Sequence, residues 1–147
     1  MKISPNIKVK KLHPDAKIPI RATQGSSGLD LFACLGNEIE IILDSKPQLI
    51  GTGIALQAPV GYDIQIRPRS GLASKGVGVN LGTIDSDYRG EIKVTMYMLD
   101  SNTKFPIKHG DRIAQLVISK LALLPLKETD QLDFSKRGAG GHGSTGR

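Results

Sequence analysis

Ile92-Lys93-Val94-Thr95-Met96-Tyr97-Met98 alternates apolar and polar side chains without a break. An extended chain points successive side chains to opposite faces, so this stretch makes a strand with one apolar and one polar face. Ile39-Glu40-Ile41 to Leu43 and Tyr62-Asp63-Ile64-Gln65-Ile66 repeat the pattern. Between such segments, 17 glycines and 8 prolines punctuate the chain at short intervals, which is how turns separate strands. Many short strands joined by turns give an all-β domain: a sandwich, a jelly roll or a barrel. Arg112 to Leu124 is less plain, because Ile113, Leu116, Val117 and Leu121 also fit a helical stripe that Pro125 would end. Its strand-like neighbours favour a strand there too. No internal repeat or interior linker interrupts the pattern.

A length of 147 residues suits one domain with a core that needs no disulfide or metal staple. Cys34 is the single cysteine, so no internal bridge forms and a reducing compartment is expected. Met1-Lys2-Ile3-Ser4-Pro5 lacks the apolar run of a signal peptide, and no window approaches the roughly 20 apolar residues of a membrane helix. The expected location is cytoplasmic, with no membrane partner. Twenty basic residues against 14 acidic ones, a net charge of +6, favour an anionic ligand. Aromatics form only 4% of the chain and tryptophan is absent, so stacking platforms for single-stranded nucleic acid are scarce and small phosphates come first. Lys8, Lys10, Lys11 and Lys17 read as a solvated face. His13, His109 and His142 are far apart and unpaired with Cys34 or an acid at ligand spacing, which speaks against structural zinc. The absence of Gly-x-Ser-x-Gly leaves a serine hydrolase without support.

Five further segments are rich in groups that handle phosphate. Arg67-Pro68-Arg69-Ser70-Gly71-Leu72 follows a strand, and its turn presents a guanidinium, a hydroxyl and a glycine N–H together. Gly82-Thr83-Ile84-Asp85-Ser86-Asp87-Tyr88-Arg89-Gly90 sets two carboxylates and a tyrosine between strands, in an expected hairpin from roughly 79 to 93; it is either an Asp-rich hairpin turn or a site that orients water. Asp30, in Gly28-Leu29-Asp30-Leu31, and Gln115, in Gly110-Asp111-Arg112-Ile113-Ala114-Gln115-Leu116, are polar residues inside apolar runs and each needs a partner. After Phe134 the composition changes, and Arg137-Gly138-Ala139-Gly140-Gly141-His142-Gly143-Ser144-Thr145-Gly146-Arg147 has almost nothing to bury. That tail reads as a disordered end or as a phosphate clamp of backbone N–H groups, hydroxyls and Arg137. It is not a Walker A loop, since no Gly-Lys-Ser/Thr follows. Residues 1–134 are expected to form the domain, and 135–147 a mobile arm.

Each segment alone is ambiguous, but the five occur in one order that resembles the trimeric dUTPases, the deoxyuridine triphosphate nucleotidohydrolases. The segments at 28–31, 68–72, 82–90, 110–116 and 137–146 resemble that family's five motifs in turn. The resemblance implies a distorted jelly-roll β-barrel with a flexible glycine-rich C-terminal arm, assembled as a homotrimer with active sites shared between subunits. It implies hydrolysis of dUTP to dUMP and pyrophosphate with Mg²⁺, which keeps uracil out of DNA and supplies dUMP for thymidylate synthesis.

By the same resemblance Asp85 is the catalytic residue that orients and deprotonates the attacking water. Arg69, Ser70, Gly71 and Gln115 match phosphate contacts, and Arg137, Gly143, Ser144 and Thr145 match the arm that closes over the nucleotide. Asn80, Gly82, Thr83 and Ile84 are placed to read uracil, Tyr88 to pack on deoxyribose and exclude a 2′-hydroxyl, and Lys93 to contact substrate. No residue is expected to bind the metal directly: the triphosphate and water hold Mg²⁺, and Asp30 holds metal-bound water or the frame of the site. His142 stands where the family most often has phenylalanine, and its ring still offers a face to stack on uracil. Two rival readings remain in view. A dCTP deaminase or bifunctional relative would release ammonia from dCTP, and a nucleic-acid-binding module would show salt-sensitive binding without dUTP turnover.

Overall fold

The computed structural model describes residues 6–141. In chain order the elements are β1 (Lys8–Lys11), β2 (Gly28–Phe32), β3 (Glu40–Leu43), β4 (Gln48–Gly51), β5 (Ile54–Gln57), β6 (Tyr62–Arg67), α1 (Ser70–Ala73), β7 (Val77–Val79), β8 (Gly82–Ile84), β9 (Lys93–Met98), β10 (Phe105–Lys108) and β11 (Arg112–Lys120). The three alternating stretches fall on β3, β6 and β9. On β9 the period-two reading holds residue by residue, with Val94, Met96 and Met98 buried and Lys93 exposed.

The strands pair antiparallel in four sheets: β2-β11-β6-β8, β4-β9-β7, β1-β5 and β3-β10. The result is a distorted jelly roll, in which the sheets wrap one core without closing into a single continuous barrel among the described residues. Leu31, Leu43, Ile50, Ile54, Ile64 and Ile113 are almost wholly buried at its centre. Each such side chain contributes roughly 1.5–3 kcal/mol through burial. After β11 no further strand forms through residue 141, and Leu124, Leu126, Leu132 and Phe134 are largely exposed. Among the described residues no helix is long and apolar enough to cross a membrane.

Three local features differ from the sequence reading. The segment after β6 is not only a turn: one helical turn, α1, follows Arg69, which takes the N-cap position in an extended conformation. The stretch around Asp85 resembles a hairpin in sequence, but β8 pairs with β6 while β9 pairs with β4 and β7. The chain there crosses between two sheets, a connection that locally looks like any strand-turn-strand. Finally, β11 is the strand its neighbours favour, but with a register shift between Arg112 and Ala114, so Ile113 and Ala114 are both buried. That bulge breaks the period of two and produces the helix-like spacing of Ile113, Leu116 and Val117.

Candidate active site

Two groups of the expected residues assemble on the four-stranded sheet, one around β2, β11 and the end of β6, the other along the edge strand β8. The first lies on β2, β11 and the chain leaving β6. Asp30 stands opposite Gln115, which in turn stands opposite Arg67. The Asp30 carboxylate, only 12% exposed, accepts a hydrogen bond from Arg69 Nε at 3.1 Å and faces Arg112 Nη1 at 3.5 Å. Arg69 also donates through Nη1 to the Arg112 carbonyl at 2.9 Å. Gln115 Nε2 donates to the Pro68 carbonyl at 2.9 Å. Asp30 and Gln115 therefore have the partners that polar groups in apolar strands require. Their partners are the backbone and side chains that present Arg69, Ser70 and Gly71. Both Ser70 and Gly71 are exposed on α1, whose first N–H groups have no intrahelical acceptor.

Arg112 was not singled out from the sequence, although Asp30's need for a countercharge was a pointer to it. The bulge in β11 puts Arg112 and Gln115, three residues apart, on the same side of the strand. A regular strand would send them to opposite faces.

The second group lines a cavity of about 350 Å³ that includes Gly82, Thr83, Ile84, Asp85, Tyr88 and Lys93. Here β8 is the edge of its sheet, paired on one side with β6 through Gly82 and Ile66. Its outward N–H and C=O groups have no strand partner among the described residues, and such an edge can recognise a planar polar ring by backbone hydrogen bonds. Asp85 follows at the end of β8, exposed, in a turn closed by the Tyr88 N–H donating to its carbonyl at 3.1 Å. Tyr88 lies across that turn, and its hydroxyl donates to the Glu91 carbonyl at 3.0 Å. Lys93 Nζ is 3.8 Å from Glu91 Oε2. Glu91 also borders the cavity and had not been picked out from the sequence, where it is simply an acid at the start of a strand.

The other expected residues stand apart from both groups. Asn80 is exposed and donates its N–H to the Thr95 carbonyl at 3.0 Å. Arg137 bonds within its own segment, Nε donating to the Gly140 carbonyl at 2.8 Å. His142, Gly143, Ser144 and Thr145 lie outside the described residues.

Among the described residues no group of three or more His, Cys, Asp or Glu side chains could hold a metal ion. Asp30 turns both oxygens toward guanidinium groups. This donor set fits a Mg²⁺ that arrives with phosphate oxygens and water around it, since Mg²⁺ retains much of its water and needs few protein ligands.

Comparison with known proteins agrees with this frame. The dUTPase family model matches residues 14–146. A deoxyuridine 5'-triphosphate nucleotidohydrolase of Wolinella succinogenes is 49% identical over 144 residues, covering 96% of this chain and 94% of that protein. The protein of that name from Helicobacter pylori is 48% identical over 143 residues, 95% of this chain and 96% of its own length. Among solved structures, a variant of the Staphylococcus bacteriophage 80alpha dUTPase with dUpNHpp superposes with a TM-score of 0.85 at 26% identity, covering 98% of this chain and 100% of that one. The chain belongs to the dUTPase family.

Proposed function

We propose that this protein hydrolyses dUTP to dUMP and pyrophosphate. The observation that carries the reading is the cavity with a free strand edge on one wall, Tyr88 on another and Asp85 at the rim. Uracil's donor and acceptor order is read by the backbone at Gly82, Thr83 and Ile84, with Lys93 lining the same cavity and Asn80 outside it. A cytosine there would leave buried polar groups unpaired, which discriminates more strongly than the fit around one methyl group does against thymine. Tyr88 packs on the sugar and leaves no space for a 2′-hydroxyl.

Asp85 orients a water and takes its proton as the water attacks the α-phosphorus, opposite the departing pyrophosphate. In-line displacement of this kind depends on positioning and charge stabilisation, and a fixed carboxylate provides the first. Arg69, Ser70, Gly71 and Gln115 hold phosphate oxygens, with guanidinium contacts the strongest of these. Asp30 keeps Arg69 and Arg112 in place. Bound with the triphosphate, Mg²⁺ supplies neutralisation of phosphate charge. Arg137, Gly143, Ser144 and Thr145 close over the nucleotide from the C-terminal arm formed by 135–147, and His142 stacks on the base.

We further propose a homotrimer whose sites lie between subunits. The two residue groups occupy different parts of one sheet, with Asp30 on the edge strand β2 and Gly82, Thr83 and Ile84 on the other edge strand, β8. The cavity at β8 is lined by the second group and by none of Asp30, Arg69, Ser70, Gly71 and Gln115. A second copy can bring one edge against the other, and exposed Leu81, Leu123 and Leu126 supply apolar surface for such contacts. An enzyme drawing on the free nucleotide pool works in the cytoplasm.

The test is pyrophosphate release by the purified protein with Mg²⁺ on dUTP, dCTP, dTTP and UTP at equal concentration, with ammonia assayed in parallel. Turnover confined to dUTP is the expected result. Silence on dUTP, or ammonia from dCTP, refutes the reading.

A further inference from the structure

Glu91 is a half-buried carboxylate in the wall of the base cavity, where an unneutralised negative charge would repel a nucleotide. A backbone N–H and a lysine face it and make it a strut. Oε1 accepts the Gly53 N–H at 2.9 Å, and Oε2 faces Lys93 Nζ at 3.8 Å. The backbone closes round it so tightly that a Cβ on Gly51 would lie 2.7 Å from Oε1. Gly53 has φ +66°, the left-handed conformation that glycine adopts without steric cost.

The next residue is clasped by the same loop. Thr52, almost fully buried, donates through Oγ1 to the Ile92 carbonyl at 2.6 Å, while the Ile92 N–H donates to the Ile54 carbonyl at 2.8 Å. Thr52 and Ile54 thus fix the peptide units on either side of Ile92, and the Gly53–Glu91 bond is the side-chain part of that attachment.

The other end of the attachment reaches Tyr88. Its hydroxyl donates to the backbone carbonyl of Glu91, and its ring lies over Gly90, where a Cβ would come within 2.6 Å of Cζ. The orientation of the Tyr88 ring therefore depends on where the Glu91 peptide sits.

We infer that Glu91 is a positioning residue for sugar selectivity, acting by tying the Tyr88 wall to the β4–β5 loop. This rests on the dUTP-hydrolase reading above and adds to it a residue that touches neither the phosphates nor the attacking water. Losing the Gly53–Glu91 bond frees the segment that anchors Tyr88, and the wall no longer excludes a 2′-hydroxyl as firmly.

The experiment compares kcat/KM for dUTP with kcat/KM for UTP in wild type, Glu91→Ala, Glu91→Gln and Tyr88→Phe, and in the Glu91→Ala/Tyr88→Phe double variant. In Glu91→Ala the dUTP/UTP ratio falls about tenfold, the scale of one hydrogen bond to a charged group. Glu91→Gln, which still offers an acceptor to Gly53 N–H, restores the ratio to within about threefold of wild type. In the double variant the losses do not multiply, because both act on one contact. If Glu91→Ala fails to fold, Glu91→Asp takes its place, its carboxylate one methylene short of Gly53. An unchanged ratio, equal losses in the alanine and glutamine variants, or multiplying losses overturns the role of Glu91 while leaving dUTP hydrolysis standing. A wild-type protein inactive on dUTP overturns both.

Discussion

Gly28→Ala tests whether the phosphate-handling corner is held by packing as tight as the structure gives it. Gly28 pairs with Val117 on β11, diagonal to Gln115 on the same face. A Cβ at position 28 would overlap Gln115 Oε1 and lie 3.0 Å from Cδ and 3.1 Å from Cβ of that side chain. Gln115 must then rotate away and give up its bond to the Pro68 carbonyl. The lost bond costs about 1 kcal/mol, and crowding the packed strand pair costs about 1–2 kcal/mol. Alanine's lower unfolded-state entropy offsets about 0.5 kcal/mol. The net loss of about 2 kcal/mol lowers Tm by about 4–8 °C for a chain of this size. Thermal unfolding at fixed protein concentration reads that shift, and KM for dUTP rises in the same variant because Gln115 has left its place. In a Gln115→Ala background the clash is largely gone, so Gly28→Ala should then cost less than half as much. An equal drop in Tm in both backgrounds would show that the glycine is required for some reason other than Gln115.

Three more outcomes can be checked with the same protein. Asp85→Asn keeps nucleotide binding, read by calorimetric titration with a non-hydrolysable analogue, and lowers kcat by about 10² or more, the usual effect of removing a general base; near-normal turnover removes Asp85 from the mechanism. Truncation before Arg137 leaves Tm within about 2 °C of the full chain, since the buried core ends on β11, while kcat/KM falls about tenfold or more because the site stays open; a truncated chain that fails to fold makes the arm structural. His142→Phe keeps kcat/KM within about threefold, because phenyl presents at least as broad a face for stacking; a large loss would count against stacking by His142.

The fold was legible wherever the period of two ran undisturbed. On β6 and β9 each apolar position in the sequence is a core position in the structure, because one face of each strand is buried and a slip by one residue would expose it. Legibility failed where the backbone departs from a regular strand. The bulge at Ile113 made β11 resemble a helix and hid Arg112's alignment with Gln115. The crossing from β8 to β9 looked like a hairpin because pairing partners are not written into the local pattern. Within the site, the motifs gave residue types but not their attachments. Nothing near Asp30 in sequence indicates Arg69 or Arg112, which lie 39 and 82 positions away, and Glu91's partner Gly53 is 38 residues distant.

These attachments explain why the two halves of the site are built differently. The base-reading half uses the backbone of an edge strand, whose donors and acceptors have fixed spacing and cannot rotate to accommodate the wrong ring. The phosphate half uses long side chains, but Arg69 is tethered through both Nε and Nη1, to Asp30 and to the Arg112 carbonyl. A free arginine would lose up to about 2 kcal/mol of rotamer freedom on gripping an anion. An arginine already held on two sides loses less of it. In the proposed mechanism Asp30 acts without touching substrate: it lowers the entropy cost of presenting a guanidinium. The same logic applies to Tyr88, whose hydroxyl is bonded before any sugar arrives. On the proposed reading, selectivity and grip both follow from groups fixed in advance by other parts of the chain.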